Sequence, residues 1–249
     1  MSPEEINPYD NRRGKTEQVR EMFDNIAPAY DFLNRAMSLG LDKGWRRRAV
    51  RMVAKTAPRH IVDIATGTGD FAISLAEAMP GATVSGLDLS EGMIEVGRRK
   101  VAEKGLAERI SFTRGDCLAM PLGPEVADAI TVAFGVRNFA NLREGYRAML
   151  RTLRPGGMLC VIELSTPTNP LVKPFYNLYT RGIIPLMGRA ISKDTRAYSY
   201  LPESIAAVPK GREMLVLMQE AGFTDTRFYP LTFGVCTIYT GVRPPRIES

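Results

Sequence analysis

The sequence predicts an α/β fold built on one mostly parallel, seven-stranded sheet, and three observations predict it. Short apolar runs such as Ile61-Val62-Asp63-Ile64 alternate with segments of helical spacing, the pattern of buried strands joined by covering helices. Several runs end at glycine and aspartate, as in Gly67-Thr68-Gly69-Asp70, Gly86-Leu87-Asp88 and Gly115-Asp116, where open α/β sheets bind their ligands. The last two runs, Phe223–Tyr229 and Val235–Gly241, are spaced for a terminal antiparallel hairpin, so the last strand should run antiparallel to the sheet.

Composition narrows the class. A chain of 249 residues, 45% hydrophobic and 24% charged, can bury a large core, and one domain with embellishments is the simplest division. The formal net charge of +6 is compatible with nucleic acid or an anionic membrane surface and demands neither. Cys117, Cys160 and Cys236 are far apart and lack metal-ligand spacing, which implies a reducing compartment and no structural metal. The polar start lacks the apolar stretch of a signal peptide, and no apolar run approaches about 18 residues. A cytoplasmic protein without membrane spans is expected.

In chain order, residues 1–15 read as a flexible tail and residues 16–56 as a helical cap. Val19, Met22, Phe23, Ile26, Tyr30, Leu33 and Met37 recur at helical intervals, interrupted at Pro28. A second helix, 43–54, carries Trp45 and Arg46-Arg47-Arg48, read as a solvated face. Residues 57–249 form the core. Its first strand enters a turn in which Gly67 and Gly69 admit close approach of a ligand. The spacing also fits a dinucleotide fingerprint, but Asp70 would stand where a pyrophosphate needs the positive end of a helix. Together with Asp63 it favours instead the ammonium and sulfonium of S-adenosylmethionine.

The second strand ends at Asp88, about twenty residues beyond the glycine turn, where a carboxylate can accept both ribose hydroxyls; Ser90 caps the helix that follows. After the third strand, Ile110–Arg114, Asp116 can accept the adenine amino group and the Cys117 backbone N–H can meet a ring nitrogen. The fourth strand, 127–134, delivers Arg137 and Asn138 to the same edge, where the methyl acceptor should lie. A helix over 142–153 stops at Arg154-Pro155-Gly156-Gly157, and the fifth strand is Met158–Glu163. Residues 166–209, rich in Pro, Tyr and Gly, form a lid insertion, before a helix at 213–220 and the hairpin. This order of elements is the Rossmann-like architecture of the class I S-adenosylmethionine-dependent methyltransferases.

A more specific resemblance covers nearly the whole chain from Val19 onward. Met22-Phe23-Asp24-Asn25-Ile26-Ala27, Tyr30-Asp31-Phe32-Leu33-Asn34, Met37-Ser38-Leu39-Gly40 and Trp45-Arg46 resemble the amino-terminal signature of the ubiquinone/menaquinone biosynthesis C-methyltransferases. Phe134-Gly135-Val136-Arg137-Asn138 with Leu153-Arg154-Pro155-Gly156-Gly157 is similar to that family's second signature. Ala197–Ser204 and Leu231–Val235 resemble its lid and final hairpin. The resemblance implies methylation of a ring carbon in a polyprenylated hydroquinone, either demethylmenaquinol or the 2-methoxy-6-polyprenyl-1,4-benzoquinol precursor of ubiquinone. It places cofactor contacts at Thr68, Asp88, Asp116 and the Cys117 backbone, with Ala133 lining the pocket. Some relatives carry Asn at position 116 and Ser at 133, so no hydroxyl contact carries over to Ala133.

Carbon methylation of such a ring requires a phenol to ionise, and at pH 7 a phenol of pKa near 10 is only about 0.1% ionised. Arg137 can steady the phenolate, Asn138 can orient the ring oxygen, Tyr30 can complete the hydrogen-bond network and water can take the proton. His60 precedes the first strand, roughly 20 Å from its cofactor end, which excludes it as the base. A prenyl tail holds the substrate in a bilayer, so peripheral membrane contact is expected through the amino-terminal helices and an apolar entry. The entry residues are Phe175, Tyr176, Tyr179, Ile183, Ile184, Leu186 and Met187 of the lid. Plain core or homodimer packing is the rival use of that surface. A methyltransferase for another small molecule or RNA, and a non-catalytic adaptor, are the rival functions, although no N-P-P-Y-like motif follows the fourth strand and no nucleic-acid partner is expected.

Overall fold

Burial from both sides shapes the centre of the sheet. A computed structural model describes residues 2–10, 12–167, 169–183 and 195–246. β1 (His60–Ile64) is buried along almost its whole length, lying between β2 (Thr83–Asp88) and β4 (Ala127–Ala133) and parallel to both. β3 (Ile110–Arg114) and β5 (Leu153–Leu164) extend the parallel ladder on either side. β7 (Cys236–Val242) pairs antiparallel with β5, and β6 (Thr224–Leu231) antiparallel with β7. The order is β3-β2-β1-β4-β5-β7-β6, a seven-stranded sheet with one antiparallel strand as the sequence predicts, and it reverses direction between β1 and β4. A crevice at the carboxyl ends of the strands follows from that reversal.

Alternation along the strands sends side chains into two cores. Ile61 shares one core with Trp45, Ala49, Phe71 and Leu75, from α3 (Leu41–Ala54) and α4 (Asp70–Ala78). Val62 and Ile64 share the other core with Tyr146 and Met149 of α6 (Leu142–Thr152) and Met214 and Met218 of α9 (Arg212–Glu220). Leu75, Leu153 and Leu159 are fully buried in these layers, and cutting any one back to alanine should cost about 2–5 kcal/mol. α5 (Glu91–Glu103) starts at Ser90, whose Oγ accepts the Met93 N–H at 3.1 Å. Gly156 bulges out of β5 with φ +79°, so the helix-stop signal at 154–157 lies inside the strand instead of before it.

The cap consists of α1 (Lys15–Ile26), a 3₁₀ turn at Ala27–Ala29 carrying Pro28, and α2 (Tyr30–Met37). The lid contributes α7 (Lys173–Leu178) and α8 (Thr195–Ala207). Two expectations need correcting. The segment before α1 is packed and not a free tail: Pro3 and Ile6 are buried, Glu4 accepts the Leu142 N–H at 2.9 Å, and Gln18 Oε1 accepts the backbone N–H of Tyr9 and Asp10. Ile6 finds a core with Met22, Leu33 and Tyr200, against which Tyr9 also packs, and polarity alone does not reveal it. Within the arginine triplet, Arg47 and Arg48 are exposed as expected, but Arg46 is buried against Asp42 and Asp70, because helical spacing turns it inward.

Candidate active site

The strand ends carry abrupt turns. Ala65 after β1 and Phe134 after β4 both adopt left-handed backbone (φ +51° and +60°), a strain that persists only where the surroundings impose it. A Cβ on Gly135 would come within 2.5 Å of that of Ala65, so the two strand ends leave room only for glycine there. Gly67 (φ +56°) donates its N–H to Asp88 Oδ2 at 2.7 Å, and Asp88 Oδ1 accepts the Ser90 N–H at 2.9 Å. Two oxygens with about four lone-pair sites leave the Asp88 carboxylate acceptor capacity for a ligand hydroxyl beyond these backbone donors. Burial pushes the Asp88 carboxyl above its ordinary range despite these backbone donors. Asp116 accepts the Leu118 N–H at 2.9 Å and stands across the same crevice.

Gly67, Asp88, Asp116, Cys117 and Ala133 line one small cavity, of about 60 Å³, with Leu87, Leu89 and Met93 as apolar walls. Thr16, Val19 and Phe23 of α1 close its outer side. A second cavity of about 320 Å³ is largely apolar, lined by residues of α1, α2, α7, α8 and the turn before β7, with Arg137 in its wall. Phe23, Tyr30, Phe134 and Asn138 line both. Those four residues form the threshold between a polar-ended slot and an apolar chamber.

Thr68 and Gly69, expected at the ligand, lie outside both cavity walls. Thr68 Oγ1 donates to Asp31 of the cap, and Gly69 (φ +78°) leaves space for the Phe112 ring, which a Cβ would meet at 2.8 Å. The two acids invoked for a cationic ligand are also taken. Asp70 pairs with Lys100 and Arg46, which hold its carboxyl below the usual value against the effect of burial. Asp63 accepts the hydroxyls of Thr66 and Thr131, each at 2.6 Å, and burial raises its pKa to about 6. Their work is to pin the glycine turn. His60 lies at the start of β1, with Nδ1 3.1 Å from the Val126 carbonyl and Nε2 3.0 Å from Ser85 Oγ.

Arg137 is buried in the 3₁₀ turn Val136–Asn138. Its Nη1 donates to Glu163 Oε1 at 2.8 Å and to the Phe134 carbonyl, and its backbone N–H donates to Glu163 Oε2 at 3.2 Å. Its Nε has no partner among the described residues. Lys15 donates to the Arg137 carbonyl at 3.2 Å and to that of Pro3, and burial, reinforced by the Arg137 charge, lowers its pKa to about 8. Asn138 Oδ1 accepts the Tyr200 hydroxyl at 3.0 Å, which ties α8 to the turn. Burial raises the Tyr30 hydroxyl to about 12, so it remains a neutral donor. Glu163, Tyr200 and Lys15 escaped the sequence reading; an acid closing the apolar run 159–162 at the ligand edge was the available signal for Glu163.

Residues 11–243 match the ubiE/COQ5 methyltransferase family over nearly the full chain. The chain belongs to that family. A demethylmenaquinone methyltransferase of Bacteroides fragilis is 48% identical over 240 residues, 96% of this chain and 98% of that one. The ubiquinone/menaquinone biosynthesis C-methyltransferase UbiE of Geobacter sulfurreducens is 42% identical over 91% of this chain and 89% of that one. The fold is shared with the (4+2)-cyclase SpnF, at TM-score 0.68 and 15% identity, covering 93% of this chain and 97% of that one. It is also shared with an S-adenosylmethionine-dependent methyltransferase of Thermotoga maritima, at TM-score 0.64 and 17% identity, covering 90% and 99%.

As a member of the ubiE/COQ5 family, this chain is a methyltransferase whose cofactor is S-adenosylmethionine. The donor set fits that molecule: two carboxylates at adjacent strand ends for hydroxyls and an amino group, apolar walls for a flat base, and a turn without a Cβ at Gly67. The slot opens into the larger chamber through Phe23, Tyr30, Phe134 and Asn138, which line both. Asp24 of α1 accepts from Ser90 Oγ at 2.6 Å and from the Gly92 N–H at 3.1 Å, which holds α1 against the start of α5 beside the slot.

Proposed function

We propose that the chain methylates a ring carbon of a polyprenyl hydroquinone, with demethylmenaquinol as the first substrate to test. The observation that carries this reading is the meeting of the two cavities at Tyr30, Phe134 and Asn138, with Arg137 in the apolar wall. Relatives named for demethylmenaquinone, at 48% and 44% identity, support the naphthoquinol. The ubiquinone precursor is the second reading, favoured by the name of the Geobacter relative.

S-adenosylmethionine, when bound, supplies an electrophilic methyl group. Gly67, Asp88, Asp116, the Cys117 backbone and Ala133 hold it at the strand ends, with Thr68 and Gly69 shaping the turn beneath. Arg137, buried and permanently charged, lowers the pKa of the acceptor's phenol. A shift of about two units, roughly 2.7 kcal/mol, raises the reactive fraction nearly a hundredfold at pH 7. Glu163 fixes the guanidinium in the wall of the chamber, where its charge faces the ring oxygen. With the Asn138 oxygen held by Tyr200, its amide N–H₂ is the group that meets the ring. Tyr30 donates a hydrogen bond, and the proton passes to water.

The same reading places the protein at a membrane surface. Among the described residues no helix is long and apolar enough to cross a bilayer. The apolar chamber instead reaches a rim of exposed Leu39, Phe175 and Phe233, with Tyr176 and Tyr179 inside it. At about 0.8 kcal/mol per buried CH₂, a long prenyl chain stays in the bilayer and the rim must come to it. Of the other entry residues, Ile184, Leu186 and Met187, and the side chain of Ile183, lie outside the described residues. Incubating the full chain with labelled S-adenosylmethionine and each reduced quinone tests the function. Label on demethylmenaquinol is expected, and binding of the cofactor with no label on any quinol would overturn the reading.

A further inference from the structure

We infer that the outward face of α3 docks on an anionic lipid membrane, an inference that rests on the reading of the substrate as a membrane-held quinol. Lys43, Arg47, Arg51 and Lys55 recur every four residues. At 3.6 residues per turn they fall, with Arg48, within about 140° of the helix circumference. All five are exposed, whereas Trp45, Arg46, Ala49, Val50 and Val53 on the opposite arc are buried. The helix carries one acid, Asp42, which is buried and paired with Arg46. No side chain of the five outward cations has an ion-pair or hydrogen-bond partner among the described residues. The result is a positive band roughly 20 Å long with no anion on its own helix to neutralise it.

Position selects a lipid surface over other polyanions. Leu41 shares the exposed arc and Leu39 stands just before the helix, 42% and 72% exposed. Trp45 Nε1 donates to Thr232 Oγ1 at 2.8 Å, which fastens α3 to the turn bearing Phe233, itself 77% exposed. Leu39, Leu41 and Phe233 all line the apolar chamber, so the cationic band begins where its rim ends. Apolar side chains entering the headgroup boundary beside cations held at headgroup level is the arrangement of an interfacial protein. A nucleic acid would use the cations and leave the leucines and Phe233 in water.

The test is vesicle flotation of the full chain on phosphatidylcholine with and without added phosphatidylglycerol, beside a variant combining Lys43→Gln, Arg47→Gln, Arg51→Gln and Lys55→Gln. Wild type should float with anionic vesicles and lose binding as salt is raised. Each cation near such a surface contributes about fivefold, so the variant should bind at least about 100-fold more weakly. Its methylation of a water-soluble, tail-less quinol should be unchanged. Equal flotation of variant and wild type on anionic vesicles would overturn the inference. So would equal wild-type binding to neutral vesicles, or tighter binding to an RNA oligomer than to either. Failure of the quinol reading itself appears separately, as no methylation of any quinol by either protein.

Discussion

Arg137 meets Glu163 through both its guanidinium and its backbone N–H, so its charge and its position have one source. Arg137→Leu should lower turnover by roughly 100-fold, the worth of a two-unit shift in a phenol pKa, while calorimetry finds S-adenosylmethionine affinity nearly unchanged. Undiminished turnover would remove Arg137 from the chemistry. The same change leaves Glu163 buried and unpaired, which should cost about 3–5 kcal/mol of stability, read from denaturant melts. Asp63 gives a residue-scale signature with a definite sign. Burial raises its folded pKa to about 6, above the ordinary carboxylate value near 4. The folded state therefore holds the proton more tightly. The resulting stability is fully present below about pH 4 and is lost as pH rises through about 6. Relative to Asp63→Asn, wild type should gain on the order of 2–3 kcal/mol between pH 7 and pH 4. A flat difference across that range would refute the assignment.

At the scale of elements, the cap and lid are bolted to the sheet by a few polar contacts. Asp31 of α2 takes Thr68 and Lys100, Asp24 of α1 takes Ser90, and Tyr200 of α8 takes Asn138. Only the last of these touches the proposed acceptor machinery. Tyr200→Phe should lower kcat on the order of tenfold, from one lost hydrogen bond and a buried Asn138 oxygen left unpaired, without altering the cofactor Kd. A fall in cofactor affinity instead would make Tyr200 a general brace of the fold. The helices and strands were legible in the sequence because period and punctuation are local. The contacts between cap, lid and turn were not, since Asp31 and Lys100 lie 69 positions apart and nothing in their spacing joins them. The partners of Thr68 and Asp70, Asp31 and Lys100, arrive from other elements and were illegible for that reason.

For the whole molecule, a polar slot and an apolar chamber share one threshold, and the chamber's rim faces outward. A tail-less quinol should be methylated equally well with and without vesicles. The rate on a long-tailed quinol should rise with vesicle surface at fixed protein, measured by label transfer; a long-tailed rate indifferent to vesicles would refute delivery through the bilayer. The amino-acid order by itself determined the seven strands, their direction, the glycine turn and the acids at the strand ends. It did so because buried strands are apolar and because ligands of such sheets bind at the strands' carboxyl ends. Tertiary structure decided which acids stay open to a ligand. Asp88 and Asp116 line the slot, while Asp63, Asp70 and Glu163 are consumed by Thr131, Lys100 and Arg137. A carboxylate's role depends on whether a cation or donor already satisfies it, and that partner is brought by folding from a distant part of the chain.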